Sequence, residues 1–142
     1  MVSFKFWQKW LLAVCGIIIV FGLVIALLSW SPLFTIFNSL VNGVFWPGTG
    51  PDQSSQQFIL WAYGMLGATM AGWGVTFAFI VNGPFGKQEK WSRDAIAAGV
   101  IVWFVIDTLM SVYTGAYFNI GVNVLVLILA GLPLVMTIKE FK

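Results

Sequence analysis

Residues 11–28 read LLAVCGIIIVFGLVIALL, a run of 18 residues without a charged side chain. A helix needs about 20 mostly apolar residues to cross the hydrocarbon core of a bilayer, which is roughly 30 Å thick. Trp10 and Trp30 flank the run, as expected for aromatic side chains at the two membrane interfaces. We therefore predict a first spanning helix over residues 10–30.

Three further segments have the length and composition of spanning helices. They cover residues 57–82, 92–114 and 117–138, and Ser92 is the expected N-cap of the third span. Of the 142 residues, 60% are hydrophobic and only 8% are charged, and the mean hydropathy is +0.94. A soluble domain carries about 25% charged residues, so this chain could not cover its own surface with polar groups. We predict an all-α integral membrane protein, a four-transmembrane-helix bundle that forms a single domain over residues 1–142.

The loop between the first two spans contains a short amphipathic pattern over residues 33–46. Polar residues form one stripe of this segment, and apolar residues recur at helical spacing on the other. The apolar stripe consists of Leu33, Ile36, Phe37, Leu40, Val41, Val44 and Phe45. We predict an uncharged helix on the outer face of the bundle or in the membrane interface, in a position to serve as a lid over a pocket.

All seven cationic side chains lie on the same side of the predicted membrane. They precede the first span, separate the second from the third, and follow the fourth: Lys5, Lys9, Lys87, Lys90, Arg93, Lys139 and Lys142. Short cytoplasmic segments carry the excess of lysine and arginine in membrane proteins. We therefore predict a multi-pass protein of the plasma membrane, the inner membrane of a bacterium, with both termini in the cytoplasm.

The absence of histidine and the single cysteine, Cys15, exclude several kinds of chemistry. The chain cannot supply a His-ligated haem, a usual zinc site, a His-based catalytic triad or an intrachain disulfide. We predict no metal, no cofactor and no nucleic-acid partner. The expected partners are membrane lipid and a small-molecule or ion ligand, and a homo-oligomer is left open.

Asp107 is the only carboxyl or basic side chain well inside a predicted span. An aspartate near the middle of a membrane costs about 2.5–3.5 kcal/mol on insertion scales, so it should face a wet cavity or a polar partner. Its depth is about 12 Å from the outer end of the third span, counted along the helix. The candidate ligand-binding residues are Asp107, polar residues at comparable depth, and Trp103, whose aromatic side chain lies one helical turn deeper than Asp107. The full set is Asp107, Asn123, Asn119, Tyr63, Ser111 and Trp103.

Two interpretations of Asp107 remain open. Polar side chains of the last three spans concentrate in the outer half of the membrane, which favours an outward-facing polar pocket around Asp107. Alternatively, the carboxyl simply stays protonated, or it accepts hydrogen bonds from asparagine and tyrosine neighbours and locks two helices together.

The second span carries Gly64, Ala68 and Gly72 at four-residue spacing, with Gly67 and Ala71 on an adjoining row. Small residues at this spacing allow close contact between helices in a membrane. We predict that Gly64, Ala68 and Gly72 are helix-packing residues, within the bundle or between protein molecules.

Three stretches resemble a group of small four-span bacterial membrane proteins to which no activity is assigned. They are residues 60–74 (LWAYGMLGATMAGWG), 103–108 (WFVIDT) and 113–119 (YTGAYFN). The resemblance covers the last three spans and implies a four-span fold, but it implies no activity.

These observations predict a membrane protein that is not an enzyme. Its outward-facing polar pocket around Asp107 would bind a small molecule, an ion or a proton, and transport would be one use of such a pocket. The alternative is a non-catalytic scaffold or assembly subunit that packs through the glycine-rich second span. An enzyme acting on lipid is disfavoured, because the single acid has neither a histidine nor a second acid beside it.

Overall fold

The computed structural model describes residues 3–141, which form helices and turns and contain no strand. The long helices are α1, Phe4–Leu28; α3, Gln53–Ile80; α4, Lys90–Tyr113; and α5, Tyr117–Met136. A 3₁₀ turn, Pro32–Phe34, leads into the short α2, Thr35–Phe45. A π-helical turn, Val81–Phe85, extends α3, and a 3₁₀ turn, Ile138–Glu140, follows α5. Four helical segments are long and apolar enough to cross a membrane, so the prediction of an all-α chain with four span-length helices is confirmed.

Helix α3 begins at Gln53, four residues before the predicted start, because Asp52 caps it. The Oδ1 atom of Asp52 accepts a hydrogen bond from the backbone N–H of Ser55 at 2.7 Å and from the hydroxyl of Ser54 at 3.1 Å. The bond from Ser55 satisfies a backbone N–H that the first turn of a helix otherwise leaves unpaired. Hydrogen bonds from Ser55 and Ser54 also lower the pKa of the exposed Asp52 carboxyl from its ordinary value.

The prediction that Ser92 caps the third span is wrong. Helix α4 begins at Lys90, with Glu89 at the N-cap position in an extended conformation. Ser92 lies in the first turn of the helix, where it is fully buried, and its hydroxyl donates to the Glu89 carbonyl oxygen at 2.5 Å. A serine hydroxyl near a helix start can donate to a preceding backbone carbonyl, or it can accept a hydrogen bond from a backbone N–H as an N-cap. The residue type alone does not distinguish these two uses.

The described residues divide into two compact units. One is Ile18–Trp73, which contains the last part of α1, all of α2 and the first part of α3. The other consists of the described residues of Met1–Ile17 and Gly74–Lys142, which include α4 and α5.

In the Ile18–Trp73 unit, α1 and α3 cross with their backbones in contact. A Cβ atom built at Gly22 would lie 2.6 Å from the carbonyl oxygen of Gly67 and 2.7 Å from the backbone nitrogen of Ala71. A Cβ atom at Gly67 would in turn collide with the Gly22 carbonyl oxygen and lie 2.5 Å from the nitrogen of Ala26. We refer to these four residues as the glycine crossing, which only glycine at its two central positions permits.

The predicted packing row of Gly64, Ala68 and Gly72 lies on a different face of α3 from the glycine crossing. Cβ atoms built at Gly64 and Gly72 would meet nothing within 4 Å, and Ala68 and Gly72 are exposed. The crossing with α1 uses the adjoining row of Gly67 and Ala71 instead, because Gly67 lies opposite Gly22 on α1. Contact of the Gly64 row with another protein molecule stays a prediction.

In the other unit, three phenylalanine rings join the segments that carry the cations. The ring centroids of Phe4, Phe85 and Phe141 are 4.9, 5.6 and 5.9 Å apart, and the Arg93 guanidinium lies 5.6 Å from the centroid of Phe141. This cluster brings together the start of α1, the π turn after α3 and the segment after α5. Lys142, the last of the seven predicted cytoplasmic cations, lies outside the described residues.

Two side chains of α1 bond to backbone carbonyls of other helices in this unit. Pro133 lies inside α5, where its ring nitrogen cannot donate to the Leu129 carbonyl four residues earlier. The indole N–H of Trp10 donates to that carbonyl at 2.9 Å. The side-chain amide of Gln8 similarly donates to the Val81 carbonyl in the proline-containing π turn, at 3.0 Å. Neighbouring helices thus supply donors where the helical backbone pattern is interrupted.

Candidate functional site

The turn between α4 and α5 is short enough to make the two helices antiparallel neighbours. The N–H of Thr114 donates to the Met110 carbonyl at 2.9 Å and closes α4, and α5 begins at Tyr117. Gly115 lies between them with a φ of 77°, a left-handed conformation that glycine adopts at little cost. Residues at equal distances from this turn therefore face each other across the two helices.

Asp107, Ser111 and Asn119 form a hydrogen-bonded group across this hairpin, which we call the Asp107 cluster. The side-chain amide of Asn119 donates to Oδ1 of Asp107 at 2.8 Å and to the hydroxyl of Ser111 at 2.9 Å. The Ser111 hydroxyl donates to the backbone carbonyl oxygen of Asp107 at 2.8 Å. Three of the predicted site residues are thus brought together.

Asn123, a further predicted partner of Asp107, bonds to Thr108 instead. Its side-chain amide donates to the Thr108 hydroxyl at 3.2 Å, and Asn123 is only 1% exposed. This bond forms a second polar link between α4 and α5, one helical turn along α5 from Asn119. Thr108 was not among the candidate site residues, although it is adjacent to Asp107 and within one turn of Ser111. Counting from the turn does not identify Thr108, because Asn123 and Asp107 each lie eight residues from Gly115 whereas Thr108 lies seven.

The Asp107 carboxyl is only partly satisfied by these contacts. Over residues 3–141, the carboxyl accepts hydrogen bonds at Oδ1, from Asn119 at 2.8 Å and from Ser111 at 3.4 Å, and no protein hydrogen bond reaches Oδ2. Asp107 is half-buried, and the described part of the chain places no salt-bridge partner within 4 Å of it. The same range contains no cluster of three His, Cys, Asp or Glu side chains that could hold a metal ion. One carboxyl oxygen is therefore available to a proton, a cation or a hydrogen-bond donor that the described chain does not supply.

Tyr63 and Trp103 lie outside this hydrogen-bonded group. Tyr63 belongs to the Ile18–Trp73 unit, where its ring centroid is 5.9 Å from that of Phe37 on α2. Its hydroxyl is buried, and no described residue pairs with it. Trp103 lies on α4 one turn before Asp107 and is half-buried. Both residues remain candidates for ligand contact that the structure does not test.

The chain matches no known protein family, no curated protein and no solved structure. The function proposed below therefore depends on the geometry of this chain alone.

Proposed function

We propose that this chain is a non-catalytic, multi-pass membrane protein that binds a proton, a cation or a protonated small molecule at the Asp107 carboxyl. In this proposal the four span-length helices cross the plasma membrane, and the cation-bearing segments and both termini lie in the cytoplasm. The α4–α5 turn and the Asp107 cluster then lie toward the opposite face. Transport is one use that such a site would serve.

The observation that carries the proposal is the half-satisfied carboxyl of Asp107. A hydrogen bond to a charged group contributes about 1.5–3 kcal/mol, so the bond from Asn119 offsets part of the cost of a buried carboxylate. A neutral amide does not cancel the negative charge, and Oδ2 has no protein donor within the described range. A carboxylate in an apolar surrounding is stabilised by protonation or by an opposite charge, which here must come from outside the described chain.

The first experiment is native mass spectrometry of the detergent-purified protein and of two variants. Asp107→Asn removes the charge from the Asp107 cluster. Asp52→Asn makes the same change of mass and charge at an exposed residue, and it serves as the matched control. A small molecule or ion that co-purifies with the wild type and the control, but not with Asp107→Asn, would support the proposal.

Proton binding needs a separate readout, because a proton does not survive as a mass difference. Infrared spectroscopy of the protein in lipid, over a range of pH values, reports the carbonyl stretch of protonated carboxyl groups. If Asp107 binds a proton, the wild type and Asp52→Asn share a carbonyl band of a protonated carboxyl group that is missing from Asp107→Asn. If all three proteins bind the same species and no carboxyl band is missing from Asp107→Asn alone, Asp107 serves only to join α4 to α5.

A further inference from the structure

Lys5 and Lys9 lie on one exposed face at the start of α1. They are four residues apart, which places them one helical turn, about 6 Å, from each other along the helix. Both side chains are exposed, and within the described residues neither has a carboxylate oxygen within 4 Å. Like charges at this spacing repel each other on a helix surface. An anion placed between the two ammonium groups would remove this repulsion.

A third lysine lies beside this face, on the segment that follows the π turn. A Cβ atom built at Gly86 would lie 2.5 Å from Nε2 of Gln8, so the chain touches α1 at this point. Lys87 follows Gly86 directly; it is exposed, and no carboxylate of residues 3–141 lies within 4 Å of its ammonium group. The contact therefore brings Lys87 next to the turns of α1 that carry Lys5 and Lys9. We refer to Lys5, Lys9 and Lys87 as the lysine corner.

The acidic side chains at this end of the unit do not neutralise the lysine corner. Oε2 of Glu89 accepts a hydrogen bond from the indole N–H of Trp91 at 2.7 Å. Oδ1 of Asp94 accepts from two nitrogens of the Arg93 guanidinium, at 2.6 and 3.0 Å. Glu140 lies on the segment after α5, where no cation of the described chain is within 4 Å of it. The lysine corner therefore keeps three positive charges without a protein counter-ion in that range.

Aromatic rings on the same turns of α1 indicate the depth of the lysine corner. The ring centroids of Phe6, Trp7 and Trp10 are 5.1, 6.1 and 6.1 Å apart, and Phe6 is 45% exposed. Aromatic side chains concentrate at the level of the lipid headgroups, and lysine side chains extend toward that level from a helix end. In the membrane insertion that we propose, the ammonium groups of Lys5 and Lys9 therefore lie level with lipid phosphates.

We propose that the lysine corner binds the phosphate of an anionic phospholipid. Lysine binds phosphate groups as a point charge, and clusters of basic side chains next to a spanning helix attract anionic lipid. A phosphatidylcholine headgroup balances its phosphate with its own trimethylammonium group, so it offers the lysines no net negative charge. A free phosphate ion lacks the acyl chains that hold a lipid at this depth. Charge and depth together therefore select an anionic lipid as the partner.

This proposal rests on the membrane insertion in the proposed function, but it does not rest on Asp107. Asp107→Asn is expected to leave lipid binding at the lysine corner unchanged. The two proposals can therefore fail separately.

The experiment measures which phospholipids the protein retains when a native mass spectrometer releases it from nanodiscs that contain equal amounts of phosphatidylglycerol and phosphatidylcholine. Lys5→Gln combined with Lys9→Gln removes two charges of the lysine corner, and Lys5→Arg combined with Lys9→Arg keeps them. The matched control is Lys90→Gln combined with Lys139→Gln. It removes two exposed lysines of the same unit that lie on other elements.

We expect the wild type to retain phosphatidylglycerol in preference to phosphatidylcholine. One lysine near a membrane surface contributes about fivefold to the binding of anionic lipid, so the glutamine pair at Lys5 and Lys9 should lower the preference on the order of twentyfold. Lys87→Gln alone should lower it about fivefold. The arginine pair, the control pair and Asp107→Asn should stay close to the wild-type preference.

Equal retention of the two lipids by the wild type would overturn the proposal. An equal loss of preference in the glutamine pair and the control pair would also overturn it, because the whole charged face would then attract lipid without a site at the lysine corner. The same holds for an arginine pair that loses as much as the glutamine pair, since charge would not be the cause. Binding of inorganic phosphate in place of phosphatidylglycerol would identify a soluble anion as the occupant and contradict the proposed lipid.

Discussion

The glycine crossing predicts opposite effects for two alanine substitutions three residues apart on α3. Gly67→Ala adds a methyl group where the backbone of α1 lies in contact. Gly64→Ala adds the same group on the same helix, where a Cβ atom meets nothing within 4 Å. Because helix, residue type and added volume are identical, the comparison isolates the contact with α1.

The size of the effect follows from the distances at the crossing. A Cβ atom at Gly67 would lie 2.5 Å from the backbone nitrogen of Ala26, whereas ordinary contact begins at 3.4 Å, so the helices would have to separate by about 0.9 Å. Such overpacking typically costs about 1–3 kcal/mol. Alanine in place of glycine stabilises a helix interior by roughly 0.5–1 kcal/mol, and this gain is common to both variants. We therefore expect Gly64→Ala to be slightly stabilising and Gly67→Ala to be about 1–3 kcal/mol less stable than Gly64→Ala.

The assay is unfolding by SDS in mixed micelles, followed by far-UV circular dichroism. Gly22→Ala tests the same contact from α1 and should destabilise the protein to a similar extent. Equal unfolding midpoints for Gly64→Ala and Gly67→Ala would refute the close approach of α1 and α3, and with it the assignment of the crossing to these glycines.

Three further predictions concern single hydrogen-bonding groups. Trp10→Phe leaves the Leu129 carbonyl without its donor and should lower the free energy of unfolding by about 1 kcal/mol in the same assay. Adding Pro133→Ala to Trp10→Phe should recover part of this loss, because alanine restores the backbone donor. A purely additive result would contradict this explanation. Tyr63→Phe removes a buried hydroxyl that no described residue pairs with, so it should stabilise the protein by about 1 kcal/mol; a clear loss of stability would show that the hydroxyl has a partner. Because the hydrogen bonds in the folded state lower the pKa of Asp52 below its ordinary value of 3.8, the stabilising contribution of this cap is present above that pH. The difference in melting temperature between the wild type and Asp52→Ala should disappear as the pH falls through the lowered pKa; a difference that persists in strong acid would argue against the cap.

Much of the helical architecture was predictable from the order of residues along the chain. Long apolar runs favour span-length helices. Pro32 and Pro51 separate the first run from the second, Pro84 lies between the second and the third, and Gly115 lies between the third and the fourth. The helix starts were less predictable, because aspartate and serine both occur at caps. Asp52 caps α3, whereas Ser92 bonds back inside the first turn of α4, and only the backbone conformation distinguishes these uses.

The central part of the candidate site was also predictable, because a tight turn fixes which residues of two neighbouring helices face each other. Asn119 meets Ser111 for this reason, since each lies four residues from Gly115, and Asp107 lies one helical turn from Ser111 on the same helix. The pairing of Asn123 with Thr108 was not predicted, since Asn123 lies about as far from the turn as both Asp107 and Thr108. The rotation of α5 about its axis decides between those two residues.

The sequence by itself determined that the chain is helical, that four helices are long and apolar enough to cross a membrane, and that one carboxyl, that of Asp107, lies well inside one of them. These properties depend on hydrophobicity and spacing, which are local. Only the tertiary structure decided that Gly67 rather than Gly64 meets α1. It also decided that Trp10 bonds to the backbone carbonyl left unpaired by Pro133. Finally, it left one carboxyl oxygen of Asp107 without a protein donor in the described range. Each of these outcomes depends on how one helix is rotated about its axis and shifted along it relative to its neighbour. Because adjoining faces of a helix carry rows of similar residues, several rotations are equally compatible with the sequence.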